Sequence, residues 1–201
     1  GAFAVLRQEI FQAGQRAAAY CAPDPHEVEG VNTRVELAAA ALALRDQIAT
    51  GHLLAGAGIL DPTTTWIDAD VTIEPDATIH PFTVLRGRTS VAAGASVGPH
   101  VVAVDAEIGP GVDVGPFCYL RPGAVLRESS KAGTFVEIKA ATVGARAKVP
   151  HLSYIGDAEI GEDTNIGAGT ITANYRAERY SEKQRTVIGR NVHTGSQNVF
   201  V

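Results

Sequence analysis

From Ile67 onward an aliphatic residue returns at every sixth position: Ile67, Ile73, Ile79, Leu85, Val91 and Val97. After a slip of one residue the series resumes at Ile108, Val114, Leu120 and Leu126. Ala132 holds the place before Ile138, and further slips lead to Val143, Val149, Ile155, Ile160 and Ile166. Glycine often follows, at positions 98, 109, 115, 144, 156, 161 and 167. A helix repeats every 3.6 residues and a strand every 2, so a period of six is neither. It predicts a parallel β-helix of hexapeptide repeats, in which short strands alternate with sharp corners and three hexads close one triangular coil. The aliphatic residue of each hexad points inward. A small residue four places later, such as Cys118, also points inward, and the remaining positions are polar and solvated.

The pattern before the repeats differs. Residues 3–13 read as a short amphipathic helix closed by Gly14, residues 16–21 as a strand, and 22–26 as a Pro-rich turn. Residues 1–32 are therefore expected to be the remnant of an α/β domain. Thr33 and Glu36 form a capping box ahead of an Ala/Leu-rich stretch, predicting a helix to about Thr50 with Gly51 at its end. Residues 33–60 then make a helical arm and 61–201 the β-helix, with the hexads starting near Trp66. The polar stretch 172–187 breaks the period and is expected to form an external loop, where function often sits.

The chain has 201 residues, 45% hydrophobic and 19% charged, as in a globular protein. A net charge of −5 argues against nucleic acid as a partner, which usually calls for a basic face. No apolar run is long enough to insert in a membrane, and no leader peptide is read. The two cysteines, Cys21 and Cys118, form no framework, so a reducing, cytoplasmic setting is the expectation. His80 directly follows a core residue, His100 is three places after one, and His193 is far away beyond the polar stretch, so they do not converge as a zinc site requires. The chain lacks methionine, begins Gly-Ala-Phe and stops at Val201 inside the repeat pattern. An internal fragment of a longer protein is therefore expected.

The period also serves as a ruler. Coils stack about 4.8 Å apart. Arg121 and Lys139 each follow a core residue, 18 positions apart, and so share a corner on adjacent coils. Two stacked cations repel, so either both splay into water or they hold an anion, most simply a phosphate. Glu137 and Tyr154 each precede a core residue and are also neighbours by the ruler. His151 falls near a corner with Ala168 as its counterpart one coil later. A lone outward histidine is commonly just solvated. Here it lies within one coil of a carboxylate, a phenol and a cation pair, a set suited to an anionic, polyhydroxylated substrate and a general base.

Four ordered segments carry a resemblance: Pro116-Phe-Cys-Tyr-Leu-Arg-Pro-Gly-Ala124, Phe135-Val-Glu-Ile-Lys139, the run from Val149 to Gly161, and the run from Asn165 to Tyr175. Together they resemble the family of bifunctional bacterial glucosamine-1-phosphate N-acetyltransferases / N-acetylglucosamine-1-phosphate uridylyltransferases. The Val149-Pro-His form and Asp61-Pro-Thr-Thr-Thr-Trp-Ile67 look actinobacterial. The resemblance implies a left-handed β-helix, a homotrimer with sites at subunit contacts, and acetyl transfer from acetyl-CoA to the amine of glucosamine 1-phosphate. The product would feed UDP-N-acetylglucosamine and cell-wall synthesis.

Residue by residue, the resemblance implies His151 as general base, with Glu137 orienting it. Arg121 and Lys139 would hold the sugar phosphate, Tyr154 and Asn165 the sugar, and Ala168, Asn174, Tyr175 and Ser196 the acetyl-CoA side. Asn32 matches a uridylyltransferase residue that binds Mg²⁺, although uridylyltransferase activity is not expected of this chain. The family continues Asn-Tyr-Asp-Gly where this chain has Asn174-Tyr175-Arg176-Ala177, and Lys183 stands where a basic loop residue is wanted. The rival readings are another hexapeptide-repeat acyltransferase and a non-catalytic, trimerising solenoid.

Overall fold

A computed structural model of the chain describes residues 28–175 and 183–201. The helix, strand and turn expected over residues 3–26 lie outside these, as do Cys21 and the centre of the 172–187 stretch. The chain divides into two compact units, residues 1–43 and 44–201.

Helix α1 spans Arg34–Leu54. Its capping box forms: the Thr33 hydroxyl accepts from the Glu36 amide at 3.2 Å, and the Glu36 carboxylate accepts from the Thr33 and Asn32 amides at 2.8 and 2.7 Å. Those backbone donors hold the Glu36 carboxyl below its ordinary value, the Asn32 amide most strongly. The predicted stop at Gly51 is wrong. Glycine is tolerated inside a helix at modest cost, and α1 continues past it. The chain turns at Gly56, which takes φ +100°. There the Ala57 amide donates to the His52 carbonyl and the Gly56 amide to Leu53, the paired bonds of a Schellman motif.

The second unit is a parallel β-solenoid with three faces. The first face stacks six strands, from Gly58–Ile59 to Lys148–His151. The second stacks eight, from Trp66–Ile67 to Val199–Phe200, and the third seven, from Thr72–Ile73 to Thr186–Ile188. Pairing begins at Gly58, ahead of the expected start near Trp66. A longer corner, in which the Asp61 carboxylate accepts from the hydroxyls of Thr63 and Thr64, hides the period there. Every residue of the predicted aliphatic series is buried, from Ile67 to Ile166. Burying a side chain of this size contributes about 1.5–3 kcal/mol, so a repeated column of them is what holds the short strands in register.

The slips in the period have one location. The five-residue steps Ala103–Ile108, Ile138–Val143 and Ile155–Ile160 all turn from the second face to the third. At each, one residue takes a left-handed conformation: Asp105 (φ 46°), Ala140 (φ 45°) and Asp157 (φ 47°).

Candidate active site

Residues flanking a buried strand residue point outward, so the ruler translates directly into columns on a face. On the second face Tyr119, Glu137 and Tyr154 pair in register, and Ile171 follows Tyr154. Beside them Arg121 and Lys139 occupy matching positions on adjacent coils, and Gly156 pairs with Lys139 on the next. Phe117, Phe135 and Leu152 complete the wall of a groove of about 490 Å³ over this face.

The cation pair does not simply splay into water. Arg121 Nη1 donates to Glu137 Oε1 at 2.8 Å, and the guanidinium lies 5.9 Å from the centroid of the Tyr119 ring. The Glu137 bond raises Arg121 above its ordinary value. Glu137, expected to orient His151, therefore engages Arg121. Its strand lies on the second face, whereas His151 pairs with Thr134 at the end of the first.

Lys139 has a third cation for a neighbour. Lys183, near the far end of the polar stretch, lies beside it, and that neighbour lowers the Lys139 pKa. Lys183 itself is raised, first by the lone pair that a neutral Lys139 amine offers it and then by the Asp157 carboxylate 3.7 Å away. The Lys183 ammonium also sits 5.9 Å from the centroid of the exposed Tyr175 ring. Asn174 is buried, with 4% of its surface exposed, and its side-chain amide donates to Asp157 Oδ2. Arg121, Glu137, Lys139, Tyr154, Asn174 and Tyr175 thus gather around one stretch of the second face, with Lys183 and Asp157 added.

His151, Ala168 and Ser196 follow one another along the corner between the first and second faces. The His151 carbonyl accepts from Gly169, and the Ala168 carbonyl from Gln197. The Ser153 hydroxyl also donates to the His151 carbonyl at 2.7 Å, so the backbone is tied while the residue stays exposed. The same corner carries a ladder of stacked rings, Phe82, His100, Phe117 and Phe135, with centroids 4.8, 4.8 and 5.2 Å apart.

Asn165 stands apart from this group. It projects from the first face, bridged to Lys148 on one side and His193 on the other. With Arg146 and Asp163 these border a second groove of about 650 Å³. His193, read from sequence as remote, is thus the direct neighbour of a predicted site residue. The insertion between Thr172 and Thr186 lengthens the sequence gap but not the coil.

Cys118 is buried, and burial pushes its thiol up to about 11; Sγ donates to the Gly133 carbonyl at 2.6 Å. It is core. Asn32 is exposed and its backbone amide serves the helix cap. Among the described residues no group of three or more His, Cys, Asp or Glu gathers to hold a metal ion. Among them, too, no helix is long and apolar enough to cross a membrane.

Sequence reasoning missed Asp157, Tyr119 and His193. The ruler could have found the first two: Tyr119 is 18 residues before Glu137, and Asp157 is 17 after Ala140.

No family model matches the chain. In an alignment of 206 positions that covers 94% of its length, the chain is 45% identical to the bifunctional protein GlmU of Streptomyces coelicolor. It is 48% identical, over the same share, to the bifunctional protein GlmU of Pseudarthrobacter chlorophenolicus. The chain spans only 42% and 41% of the lengths of these relatives. Among solved structures, a hexapeptide transferase family protein from Anaplasma phagocytophilum is 17% identical at a TM-score of 0.37, covering 69% of this chain and 77% of that one. At that score the likeness adds nothing to the fold read from strand pairing.

Proposed function

We propose that this chain, which belongs to the family of the bifunctional proteins GlmU and spans about two fifths of their length, transfers an acetyl group from acetyl-CoA to the amine of glucosamine 1-phosphate. The observation that carries the reading is the cluster of Arg121, Lys139 and Lys183 beside Glu137 and Tyr154 on one face. Two carboxylates, Glu137 and Asp157, each face one of the three cations. Among the described residues no carboxylate forms an ion pair with Lys139, which gains most from a phosphate, whose charge relieves the repulsion among the three. A phosphate-bearing sugar fits that field. A sugar without phosphate leaves it unmatched.

In the chemistry proposed, His151 takes the proton from the sugar amine as its nitrogen attacks the thioester carbon. Imidazole titrates near neutral pH and suits that task. The C–N bond forms, the carbonyl oxygen becomes an oxyanion, and the C–S bond then breaks to release CoA, whose sulfur takes up a proton. Asn174, buried and fixed, or nearby backbone amides would donate to the oxyanion. Ala168 and Ser196 lie one and two coils beyond His151, which suits a cofactor running along that corner. Glu137 acts by holding Arg121 toward the phosphate. Mg²⁺ enters only through the resemblance, which ties it to uridylyl transfer and not to the acetyl transfer proposed. Asn32 offers a single amide oxygen toward it, the described residues add no carboxylate cluster, and no step here runs through the metal.

The homotrimer is part of the same proposal. The first and second faces of a triangular coil look outward in different directions. Asn165 joins the second-face group on one ligand when the first face of one copy lies along the second face of another, and a threefold ring closes that head-to-tail contact. The second face offers the apolar material: Trp66, Val102, Tyr119, Ile171 and Val199 are all exposed, beside the ring ladder. The cytoplasm is the proposed setting, since acetyl-CoA is an intracellular substrate.

An acceptor comparison tests the reading. Free CoA should be released from acetyl-CoA with glucosamine 1-phosphate and fall to background with unphosphorylated glucosamine. Equal release with both would remove the phosphate assignment and favour another acyltransferase.

A further inference from the structure

Three short corners turn the second face into the third, and their comparison isolates one side chain. Asp105, Ala140 and Asp157 share nearly the same left-handed φ. Asp105 uses its carboxylate on backbone, accepting from the Arg88 amide at 2.9 Å. Ala140 makes the same turn with no carboxylate at all. The corner therefore does not require an aspartate, and Asp157 does not use its side chain as Asp105 does. Its backbone makes the corner's bonds, donating to the Lys139 carbonyl at 3.0 Å and accepting from Thr186 at 3.1 Å. Its carboxylate points instead to two side chains of the site: Oδ2 accepts from the Asn174 amide, and Oδ1 faces Lys183.

These two residues lie within the polar stretch, where the Asn174 carbonyl accepts from the Gln184 amide at 2.9 Å and Tyr175 bridges Lys183. A carboxylate only accepts hydrogen bonds, so Asn174 must present its NH₂ to Asp157 and turn its carbonyl oxygen away. One amide hydrogen is fixed and the orientation of the other follows. The bond is largely shielded: Asn174 is buried, and the Asp157 side chain is 18% exposed.

We infer that Asp157 is a positioning residue for acetyl transfer, setting the amide of Asn174. The inference rests on the reaction proposed above. It assigns Asp157 no contact with substrate. Its action passes through Asn174, so its loss should matter only while Asn174 is present.

A double-mutant cycle reads this directly. In the protein that carries this chain, Asp157→Ala should lower kcat by about tenfold to a hundredfold, the scale of a misplaced catalytic group. Asn174→Ala should lower it at least as far, and the double variant should be no worse than Asn174→Ala alone. Multiplying losses, or an unchanged kcat in Asp157→Ala, would overturn the inference. If Asp157→Ala does not fold, the isosteric Asp157→Asn takes its place in the cycle. A structural role alone would lower the melting temperature while leaving the cycle additive. Should the wild type transfer no acetyl group, the functional reading fails. The side-chain amide signals of Asn174 in the ligand-free protein then decide the inference: they should shift in Asp157→Asn, and unmoved signals would refute it.

Discussion

Lys139 stands one coil beyond Arg121 and in contact with Lys183, and its ammonium is held below the ordinary lysine value by that second ammonium. The protonated form is the one a phosphate needs. Affinity for glucosamine 1-phosphate should be full below the lowered Lys139 value and fall as pH rises through it, at lower pH than for an ordinary lysine. Lys183→Gln removes the repelling neighbour and should move that loss to higher pH, even though it also removes a cation. Calorimetry of glucosamine 1-phosphate binding from about pH 7 to about pH 10 covers the range. A loss at unchanged pH in Lys183→Gln would contradict the pairing. Arg121→Ala should weaken binding by about 1.5–3 kcal/mol, the usual worth of a hydrogen bond to a charged group. At this scale the sequence made neighbours of Arg121 with Lys139 and of Glu137 with Tyr154, because backbone register alone decides both. It could not choose the partner of Glu137. That choice is made by side-chain rotamers, between a guanidinium on the same face and an imidazole around a corner.

At the scale of elements, α1 begins where its capping box says and ends where the backbone, not the first glycine, dictates. Gly51 lies inside the helix, and among the described residues nothing beyond its chain neighbours and the helix's own backbone comes within 4 Å of where a Cβ would stand. Gly56 lies beyond the helix at φ +100°, with the Pro75 Cβ 3.2 Å from that position. The two glycines should therefore respond with opposite sign. Gly51→Ala should stabilise the protein by about 0.8–1 kcal/mol through helix propensity, while Gly56→Ala should destabilise it through left-handed strain. Chemical denaturation followed by circular dichroism distinguishes the two, and equal shifts would contradict the assignment of the stop. Because the Glu36 carboxyl is held below its ordinary value, its contribution to the cap is present above the unfolded value. It is lost as pH falls through the folded one. Sequence could not separate Gly51 from Gly56, since the residue type is the same and only the chain reversal into Gly58–Ile59 decides. The slips were legible as counts but not as places. That all three fall between the second and third faces emerges only when the coils are stacked.

Over the whole solenoid, the period alone foretold three parallel faces and the inward column, because a buried residue every sixth position admits few other solutions. It did not foretell that the second face would carry both the cation cluster and an exposed apolar column. Outward positions obey no period, and what they carry is set by partners rather than by the coil. The proposed trimer makes Phe117 part of a contact surface: its ring is 48% exposed in the single chain and sits mid-ladder between His100 and Phe135. Phe117→Asp should shift the mass measured by light scattering from trimer toward monomer, and an unchanged trimer would place the contact elsewhere. His151, exposed at its corner and tied by its backbone, is the group on which proposed fold, site and reaction converge. The most direct measurement is acetyl transfer by His151→Ala, followed by mass spectrometry of N-acetylated glucosamine 1-phosphate, with calorimetric binding of the acceptor in parallel. The account predicts that acceptor binding persists while product formation is lost. Product formed at the wild-type rate by His151→Ala would contradict it.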